Sequence, residues 1–529
     1  MKTSVLPKSL LVFYIAILVG SCSQVPKRIA YPKTDLSQAL LIPKPLKVVP
    51  TNSAFGLDAN TAIYTTQTDG EFEKVGQFLA AKIASRLNLN LPVNTAESEH
   101  VERIIYINQT ESLDSNAPEA YQLYIKNDSI LLNARTADGA FRGIQTLRQL
   151  IPEQSNDTLT EQPMWLIPSG KIDDAPNFAY RGAMLDVARH FFTVDEVKRY
   201  IDQLAYYKFN AFHMHLTDDQ GWRLEIKSWP KLTEIGAQSE VGGGPSGFYT
   251  QDEFKDIVAY AAERHIQVIP EVDMPGHTNA ANLSYPIFHA KGKAETPRVR
   301  TDMKVGYSSF DAYKDTVYSF LDDVIREISA ISPSPYFHIG GDESHATPKK
   351  DYLHFIEKVE KIVQKHGKRA IGWNEIAQAN ISSSTVGQLW NEPESALKAA
   401  KSGSKIIISP AKKIYLDMKY DTLSIHGLNW AAYIPVDDAY NWDPETYVEG
   451  LSKEQILGIE APLWSETISN SEELEYLAFP RVIGYAELGW TPSEQRNWED
   501  YKSRLVGQLP YLNRENINFY PTKLVDWEN

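Results

Sequence analysis

The sequence predicts an α/β fold: a (β/α)8 TIM barrel preceded by a small α+β domain. Two observations predict this architecture. From about residue 171 onward, a short apolar run, a polar loop and an amphipathic helical segment repeat up to eight times, as in a parallel barrel. Before that point, strand-like runs alternate with helical segments over a stretch of domain size. The chain has 529 residues, so each domain can bury a core of its own.

The first 41 residues are predicted to precede the folded body. Two lysines come before an apolar run at 10–19, and small residues follow it, as in an export signal. The run is short for a membrane span. Cys22, the single cysteine of the sequence, follows at once, and this resembles the lipobox of bacterial lipoproteins. We expect a signal peptide at 1–22, lipidation of Cys22 and a polar tether at 23–41.

A lipid anchor would hold the exported protein at a bacterial membrane, on the periplasmic or the outer-membrane side. Acylation with more than one chain would make this anchoring stable. An ordinary cleaved signal peptide with an incidental cysteine is the alternative. With one cysteine in the sequence, no intrachain disulfide can form.

Residues 42–170 are predicted to form the α+β domain. The elements are a helix at 73–86, a strand at 104–107, a hairpin at 121–133 that turns at Asn127-Asp128, and an amphipathic helix at 137–150. No catalytic group of residues is visible in this part of the sequence.

Residues 171–529 are predicted to form the barrel and a helical C-terminal end. The strands are expected at 180–187, 211–216, 267–271, 336–340, 370–373, 386–390, 405–408 and 458–464. Helices fit between most of them, for example at 194–207, 251–264, 312–331, 352–366 and 393–402. The segment 420–450 has no clear periodicity, which predicts a long loop between strands seven and eight. Loops of that length usually serve function.

Polar and aromatic side chains follow the predicted strands, at the end of a barrel where the connecting loops form a functional cup. They are Asp186; Asp218 and Asp219; Glu271, Asp273 and His277; Asp342 and Glu343; Trp373, Asn374 and Glu375; Trp390 and Asn391; and Trp464, Ser465 and Glu466. A random scatter would not place them in this way. We therefore expect one site at this end.

Asp342 and Glu343 stand directly after an apolar run and two glycines. Neighbouring residues on a strand point to opposite faces, but a Gly-Gly break lets the backbone turn and bring both carboxyls to one cavity. A carboxyl that is close to another and partly removed from water tends to stay protonated at neutral pH, as a general acid must. A bare acidic dipeptide is more often a solvated turn, and the surrounding pattern is what favours function.

The composition excludes several functions. There are 53 Lys and Arg against 68 Asp and Glu, a net charge of −15 with no basic block, so nucleic acid is not an expected partner. The sequence has no Gly-rich phosphate loop, nucleophile elbow or CxxC pair. The residues His213, His215, Asp218 and Asp219 are close enough in sequence to suggest zinc. Their strand and loop positions explain this spacing, so we expect no metal.

Seven segments resemble motifs of glycoside hydrolase family 20, the exo-acting β-N-acetylhexosaminidases, and they occur in the family's order. They are 180–190, 212–223, 270–277, 338–343, 371–375, 415–417 and 464–466. The domain before the barrel also resembles the family's usual N-terminal partner. The resemblance implies a hydrolase that acts on glycans with terminal β-linked GlcNAc or GalNAc and needs neither metal nor cofactor.

Family 20 is an exception to the two-carboxylate scheme of retaining glycosidases, because the substrate supplies its own nucleophile. The resemblance implies attack of the acetamido carbonyl oxygen on the anomeric carbon, which gives an oxazoline that water opens. Glu343 would protonate the leaving oxygen and later deprotonate water. Asp342 would orient the acetamido N–H and stabilise the positive charge that develops there.

The resemblance also implies how the sugar is bound. The binding residues would be Trp373, Trp390 and Trp464 as aromatic walls, Tyr415 on the acetamido oxygen, Arg181 on O3 and O4, Asp417 and Glu466 on outer hydroxyls, and Asp218 with His277 as a pair that tunes Glu343. A structural salt bridge is the alternative for Arg181, and core packing is the alternative for each tryptophan.

Two other functions compete with this one. Family 18 glycosidases carry their acids in an alternating D-x-D-x-E pattern, whereas the acids here are adjacent. A catalytically silent glycan-binding lipoprotein would keep the tryptophans and lose an acid, whereas both acids are present. The sequence leaves open the preference between GlcNAc and GalNAc, the linkage, the oligomeric state and the role of the loop at 420–450.

Overall fold

A computed structural model describes Met1 and residues 31–66, 70–95, 103–113, 115–156 and 162–527. Residues 2–22 of the expected signal peptide, including Cys22, and the first part of the tether lie outside these residues. The described chain forms an α+β domain followed by a closed parallel barrel, which confirms the predicted fold class. No helix among the described residues combines the length and the apolar character needed to cross a bilayer.

Among its described residues, the first domain is a mixed sheet with two helices packed against it and against each other. Its strands are β1 (Lys47–Leu57), β2 (Ala62–Thr65), β3 (Val93–Thr95), β4 (Ile104–Gln109), β5 (Tyr121–Ile125), β6 (Ser129–Ala134) and β7 (Trp165–Asp174), in the order β1-β7-β5-β6-β4-β2-β3. The helices are α1 (Glu71–Leu87) and α2 (Ala137–Leu150). The apolar residues Val75, Leu79 and Ile83 recur every four positions of α1 and are buried, as a helix that covers a sheet requires.

The first domain extends further at both ends than the sequence predicted. Strand β7 runs to Asp174, beyond the predicted boundary at 170, because it pairs with the outer strand β1 up to the register of Asp173 with Lys47. Leu36 and Leu41 are buried in the core, so the predicted tether is wrong for residues 31–41. The polar and proline residues around these two leucines mask their apolar spacing.

Eight parallel strands close the barrel. They are β8 (Tyr180–Asp186), β9 (Ala211–His215), β10 (Gln267–Glu271), β11 (Tyr336–His338), β12 (Arg369–Trp373), β13 (Val386–Leu389), β14 (Ile406–Ile408) and β15 (Ile456–Leu463), with β15 paired to β8. Each predicted strand overlaps the observed one. Because all the strands run in one direction, their carboxyl ends form a single rim.

Helices surround the barrel and complete its C-terminal end. They are α3 (Val194–Tyr206), α4 (Lys231–Glu234), α5 (Gln251–Ala262), α6 (Asn279–Ser284), α7 (Asp315–Ile331), α8 (Lys349–Lys365), α9 (Pro393–Lys401), α10 (Ala411–Ile414), α11 (Val436–Tyr440), α12 (Ser471–Ala478), α13 (Arg481–Trp490), α14 (Trp498–Val506) and α15 (Leu509–Arg514). Two of them begin with a reciprocal capping box, Thr193 with Glu196 on α3 and Thr250 with Glu253 on α5.

The segment 420–450 is more ordered than an irregular loop. It contains α11, and Ile434 and Tyr440 are buried against the barrel. Arg481 Nη1 donates to the carbonyl oxygen of Ile434 at 3.2 Å, and Tyr440 donates its hydroxyl to Glu487 at 2.6 Å. The segment therefore lacks regular periodicity, as predicted. The prediction is wrong in treating it as an irregular loop, because part of it packs against the barrel.

The two domains meet at the amino ends of the barrel strands. Glu119 of the first domain accepts from Arg142 Nε and from Arg181 Nη2, each at 2.7 Å. Its other oxygen accepts from Asn210 Nδ2 at 3.1 Å. Burial opposes ionisation of Glu119, but the two guanidinium groups outweigh it and lower its pKa to about 2. This carboxylate therefore stays ionised and joins the domains.

The segment that leads into β1 contacts the same end of the barrel. The carbonyl oxygen of Lys44 accepts from Thr491 Oγ1 at 2.7 Å. The preceding residue, Trp490, ends α13, and its carbonyl oxygen accepts from Asn177 N at 2.7 Å, three residues before β8 begins.

Candidate active site

A cavity of about 330 Å³ opens at the carboxyl ends of the barrel strands. Its lining residues are Arg189, Met303, Val305, Asp342, Glu343, Trp373, Trp390, Tyr415, Asp417, Leu428, Trp430, Trp464 and Glu466. The structure thus brings the predicted acidic pair, aromatic residues and outer carboxyls into one cavity. Asp218 and His277 are buried directly behind the acidic pair.

The acidic pair enters the cavity through a strained turn. Gly340 and Gly341 have φ angles of 65° and 102°, which favour glycine, and Glu343 has a φ of 43°. A methyl group on Gly340 would meet Asp273 Oδ1 at 1.8 Å, so this position excludes every larger residue. Asp273 Oδ1 also accepts from Gly341 N at 3.0 Å, which holds the turn in place. The Gly-Gly break therefore does what the sequence predicted.

Asp342 and Glu343 differ in their exposure. The side chain of Asp342 is 11% exposed and that of Glu343 is 31% exposed. Burial raises the pKa of Glu343 above its ordinary value; the positive charge on His277 opposes this shift, and the charge on Asp342 adds to it. A carboxyl with a raised pKa and access to the cavity is suited to donate a proton.

His277 links the acidic pair to a buried carboxylate. Its Nε2 atom lies 3.6 Å from Asp342 Oδ2 and 3.7 Å from Glu343 Oε2, and its Nδ1 atom lies 3.2 Å from Asp218. Burial opposes protonation of His277, but the charges of Asp218 and Asp342 outweigh it and raise the pKa of His277 well above its ordinary value. Asp218 is in turn 2.8 Å from Arg189 Nη2. The predicted pair therefore reaches both acids through His277.

Aromatic rings form the walls of the cavity. Trp373 and Trp464 pack with ring centroids 5.7 Å apart, and Tyr415 lies 6.3 Å from Trp464. Trp390 and Tyr415 each contact Trp430 edge-on, at 6.1 and 6.2 Å. The predicted tryptophans thus line the cavity in addition to packing with one another.

Two further acids, Asp417 and Glu466, both line the cavity. Burial raises the pKa of Asp417 well above its ordinary value, and the charge on Glu466 adds to the shift. Burial also raises the pKa of Glu466. Both side-chain oxygens of Asp417 and Oε2 of Glu466 form no hydrogen bond of normal geometry within the described part of the chain. Buried polar atoms of this kind are suited to bind hydroxyl groups.

Comparison with known proteins identifies the family. The sequence pattern of "Glycosyl hydrolase family 20, catalytic domain" matches residues 178–493, and that of "Glycosyl hydrolase family 20, domain 2" matches residues 38–175. The chain belongs to glycosyl hydrolase family 20.

Relatives and solved structures agree with this assignment. A β-N-acetylhexosaminidase of Cellulomonas fimi is 37% identical over 492 residues, which cover 92% of this chain and 97% of that protein. The GH20 β-N-acetylhexosaminidase of Streptomyces coelicolor A3(2) superposes with a TM-score of 0.86 at 42% identity, covering 92% and 99% of the two chains. A mutant Streptomyces plicatus β-hexosaminidase in complex with product (GlcNAc) gives 0.87 at 42% identity, covering 94% and 100%. The predicted family, barrel fold and glycosidase class are confirmed.

The prediction for Arg181 is wrong. In this family-20 barrel, Arg181 is the second residue of β8 and lies at the amino end, where it is 1% exposed. Its guanidinium donates to Glu119 and to the carbonyl oxygens of Phe178 and Lys208. The side chain is thus a structural link to the first domain. A strand rises about 3.3 Å per residue. A side chain at its amino end is therefore too far from a cavity at its carboxyl end to reach it.

Arg189 is the arginine that lines the cavity, and the sequence analysis missed it. It lies three residues beyond the end of β8, its Nη1 atom is 3.3 Å from Asp186, and its guanidinium lies 5.0 Å from the ring centroid of Trp464. Burial opposes its charge, but Asp218 and Asp186 outweigh that effect and raise the pKa of Arg189 well above its ordinary value. Its place after a strand end was the signal that could have found it.

Four other lining residues were also missed: Met303, Val305, Leu428 and Trp430. All come from irregular loops of the family-20 barrel. Trp430 belongs to the aromatic-rich segment at 420–450, and its composition was the available signal. Met303 and Val305 follow no pattern that periodicity can detect.

Several buried acids and histidines lie close enough to share a metal ion, among them the group of His213, Glu271 and His338 and the group of Asp218, Asp219 and His277. These side chains already pair with one another: His213 Nδ1 is 2.8 Å from Glu460, and His213 Nε2 is 3.0 Å from Glu271. The pairing accounts for the cluster without an ion. The absence of a metal and of a cofactor stays a prediction.

Proposed function

We propose that this protein removes terminal non-reducing β-linked N-acetyl-D-hexosamine residues, GlcNAc or GalNAc, from glycans with retention at the anomeric carbon. One observation carries the proposal: the adjacent acids Asp342 and Glu343 share a cavity with aromatic walls, yet one is deep and the other more exposed. This arrangement suits a sugar whose acetamido arm reaches the deep acid while its glycosidic oxygen meets the exposed one. Family membership and the GlcNAc complex of the Streptomyces plicatus relative support the substrate class.

In the first step, the acetamido carbonyl oxygen of the substrate forms a bond to the anomeric carbon, and the bond to the glycosidic oxygen breaks. Glu343 gives its proton to that leaving oxygen. Asp342 accepts a hydrogen bond from the acetamido N–H and stabilises the positive charge that develops on the bicyclic oxazoline. The aromatic walls at Trp373 and Trp464 hold the arm in the geometry of attack.

In the second step, water forms a bond to the anomeric carbon and gives a proton to Glu343. The oxazoline ring opens, and the acetamide is restored. The two inversions at the anomeric carbon yield net retention. Glu343 must therefore alternate between acid and base, which a raised pKa supports.

The charges behind the acidic pair set its proton affinity. His277 lies within 3.7 Å of both acids and is held in its charged form by Asp218. A positive charge at this position favours the ionised form of Glu343, so it prevents burial from raising the pKa of Glu343 too far for the second step.

The hydroxyl groups of the terminal sugar are bound by Arg189, Asp417 and Glu466. Arg189 offers a charged fork, and the two acids offer buried oxygens that lack a hydrogen bond in the described part of the chain. A cavity of about 330 Å³ is at the small end of the range for ligand sites, about 300–1,000 Å³. A cavity of this size accepts one chain end, which supports an exo mode of action.

The test is hydrolysis of a chromogenic β-N-acetylglucosaminide and of the matching β-glucoside. We expect release of chromophore from the first and none from the second, because the glucoside has no acetamido nucleophile. Equal rates on both would refute substrate assistance. Binding of the sugar without any release would favour a silent glycan-binding protein.

Replacement of Asp342 by Asn tests the role of the deep acid. Removal of one electrostatic stabiliser of this kind costs about 10²–10³-fold in kcat. We expect that loss on N-acetyl substrates, together with strong inhibition of the wild type by thiazoline mimics of the oxazoline. Trapping of a fluorosugar as an ester on a side chain would contradict the mechanism.

We also propose that the protein is exported and anchored by a lipid on Cys22. The support is the apolar run at 10–19 followed by small residues and the cysteine. Metabolic labelling with a palmitate analogue should mark the wild type and not the Cys22→Ser variant. Equal labelling of both would rule out this site.

A further inference from the structure

Two of the cavity tryptophans donate their indole N–H to a carboxyl group. Trp373 Nε1 donates to Glu271 Oε1 at 3.1 Å. Trp390 Nε1 lies 3.2 and 3.1 Å from the two oxygens of Glu375. A bond at the indole nitrogen fixes the plane of a large flat side chain, so each acid determines where a wall of the cavity stands.

The surroundings of Glu271 leave little freedom to its tryptophan. Glu271 contacts His215 Nδ1 at 2.5 Å and His338 Nδ1 at 2.8 Å. Burial opposes ionisation, but the neighbouring histidines outweigh it and hold the pKa of Glu271 well below its ordinary value. Trp373 itself is 1% exposed. Core packing would therefore hold the Trp373 ring in place even if the hydrogen bond at its indole nitrogen were weaker.

Glu375 has a different environment. It is half-buried in one turn of 3-10 helix, Asn374–Gln378, that follows β12. Within the described residues, no cationic side chain pairs with it. Burial raises the pKa of Glu375 to about 8, and the charge on Asp342 acts in the same direction. At neutral pH, Glu375 is therefore a neutral acceptor for the indole.

The residue before Glu375 fixes the backbone of the same tryptophan. Asn374 Oδ1 accepts from Trp390 N at 3.0 Å and from Asn391 N at 3.2 Å. Two consecutive residues at the end of β12 thus hold Trp390, one at its backbone and one at its ring. Trp390 is only half-buried, and its ring neighbour Trp430 is 56% exposed, so packing supports the Trp390 ring less than it supports Trp373.

We propose that Glu375 is a positioning residue which holds the Trp390 ring against the acetamido group and thereby determines which N-acyl groups the site accepts. This inference rests on the proposed function. A hydrophobic pocket discriminates against one extra methylene by roughly 10- to 200-fold, but only if its walls stay in place. A ring released from Glu375 moves aside and admits a longer acyl chain.

The experiment compares kcat and KM for N-acetyl and N-propionyl chromogenic glucosaminides at pH 7. In Glu375→Ala, we expect the preference for the acetyl substrate in kcat/KM to fall about five- to tenfold, as the loss of one buried hydrogen bond allows. Glu375→Gln keeps an oxygen acceptor and is neutral like the acid, so it should retain the wild-type preference.

Two further variants control for folding and for nearby charge. Trp390→Phe removes the indole donor and leaves the carboxyl, and it should reproduce the relaxed preference of Glu375→Ala. Glu392→Ala removes an exposed carboxyl two residues from Trp390 that bonds Ser395 and not the indole. Its preference should equal that of the wild type.

If the wild type is active and Glu375→Ala has the same acyl preference as the wild type, this inference is overturned. The proposed function is then unaffected. Relaxation in Glu375→Gln equal to that in Glu375→Ala also overturns it. A wild type that hydrolyses neither glucosaminide overturns the inference and the proposed function together.

Discussion

The two ends of the barrel carry the same kinds of charged side chain and use them differently. At the amino end, both oxygens of Glu119 are engaged, by Arg142, Arg181 and Asn210. At the carboxyl end, Asp342 and Asp417 keep buried oxygens that make no hydrogen bond within the described chain. Position along a strand, rather than residue type, therefore decides whether a charge holds the fold together or faces a ligand.

The largest effect is expected from Glu343→Gln at the carboxyl end. The amide cannot donate a proton to the leaving oxygen, and general acid catalysis contributes about 10²–10⁴-fold. We expect kcat on a natural β-linked disaccharide to fall by that factor, with the thermal unfolding temperature little changed. A variant that keeps wild-type kcat would remove Glu343 from the mechanism.

The two arginines of the first barrel segment provide the next contrast. Arg181→Met leaves Glu119 with one of its two guanidinium partners, and breaking a buried pair costs about 3–5 kcal/mol of unfolding free energy. KM of the folded enzyme should not change. Arg189→Lys keeps the charge and loses the planar fork, so KM should rise about tenfold or more. Urea unfolding and steady-state kinetics on both variants test the contrast, which fails if Arg181→Met raises KM.

The pH dependence of stability sharpens the contrast at the amino end. The pKa of Glu119 falls from 4.5 to about 2 on folding, so its stabilisation is complete above pH 4.5 and is lost as the pH falls toward 2. The full effect is worth about 3 kcal/mol. Urea unfolding between pH 6 and pH 3 should show a steeper loss for the wild type than for Glu119→Gln. Parallel curves would mean that this pair does not join the domains as described.

The smallest expected effect is on the alkaline limb of the pH profile, where kcat falls as the pH rises. Glu343 acts in its protonated form, so activity falls as the pH rises through its raised pKa. The charge on His277 opposes that raised value, and its removal in His277→Gln should move the limb of kcat to higher pH. A pH profile from 5 to 9 measures this shift. A limb that moves to lower pH would show that His277 does not act on Glu343 through its charge.

Much of the fold follows from local pattern. The barrel strands alternate with amphipathic helices such as α7, whose buried residues Val317, Phe320 and Leu321 lie on one face. These signals are local, so the sequence shows them directly. The segment at 31–41 and α11 were missed because their stability comes from contacts with distant parts of the chain, such as Arg481 with Ile434.

The same distinction between local signals and distant contacts applies to the candidate site. Asp342, Glu343 and the tryptophans lie at the ends of strands, so the sequence alone predicts that they share one site. Arg181 was misplaced because a matching motif outweighed its position at the start of β8, whereas Arg189 lies past the end of that strand. Trp430 was missed because the folding of its loop depends on tertiary packing.

The contact between Lys44 and Thr491 holds the segment that leads into β1 near Asn177 and the start of β8. That point is opposite the rim with the cavity mouth. The first domain therefore covers the amino ends of the barrel strands, and a polymer reaches the cavity from the rim that faces away from that domain.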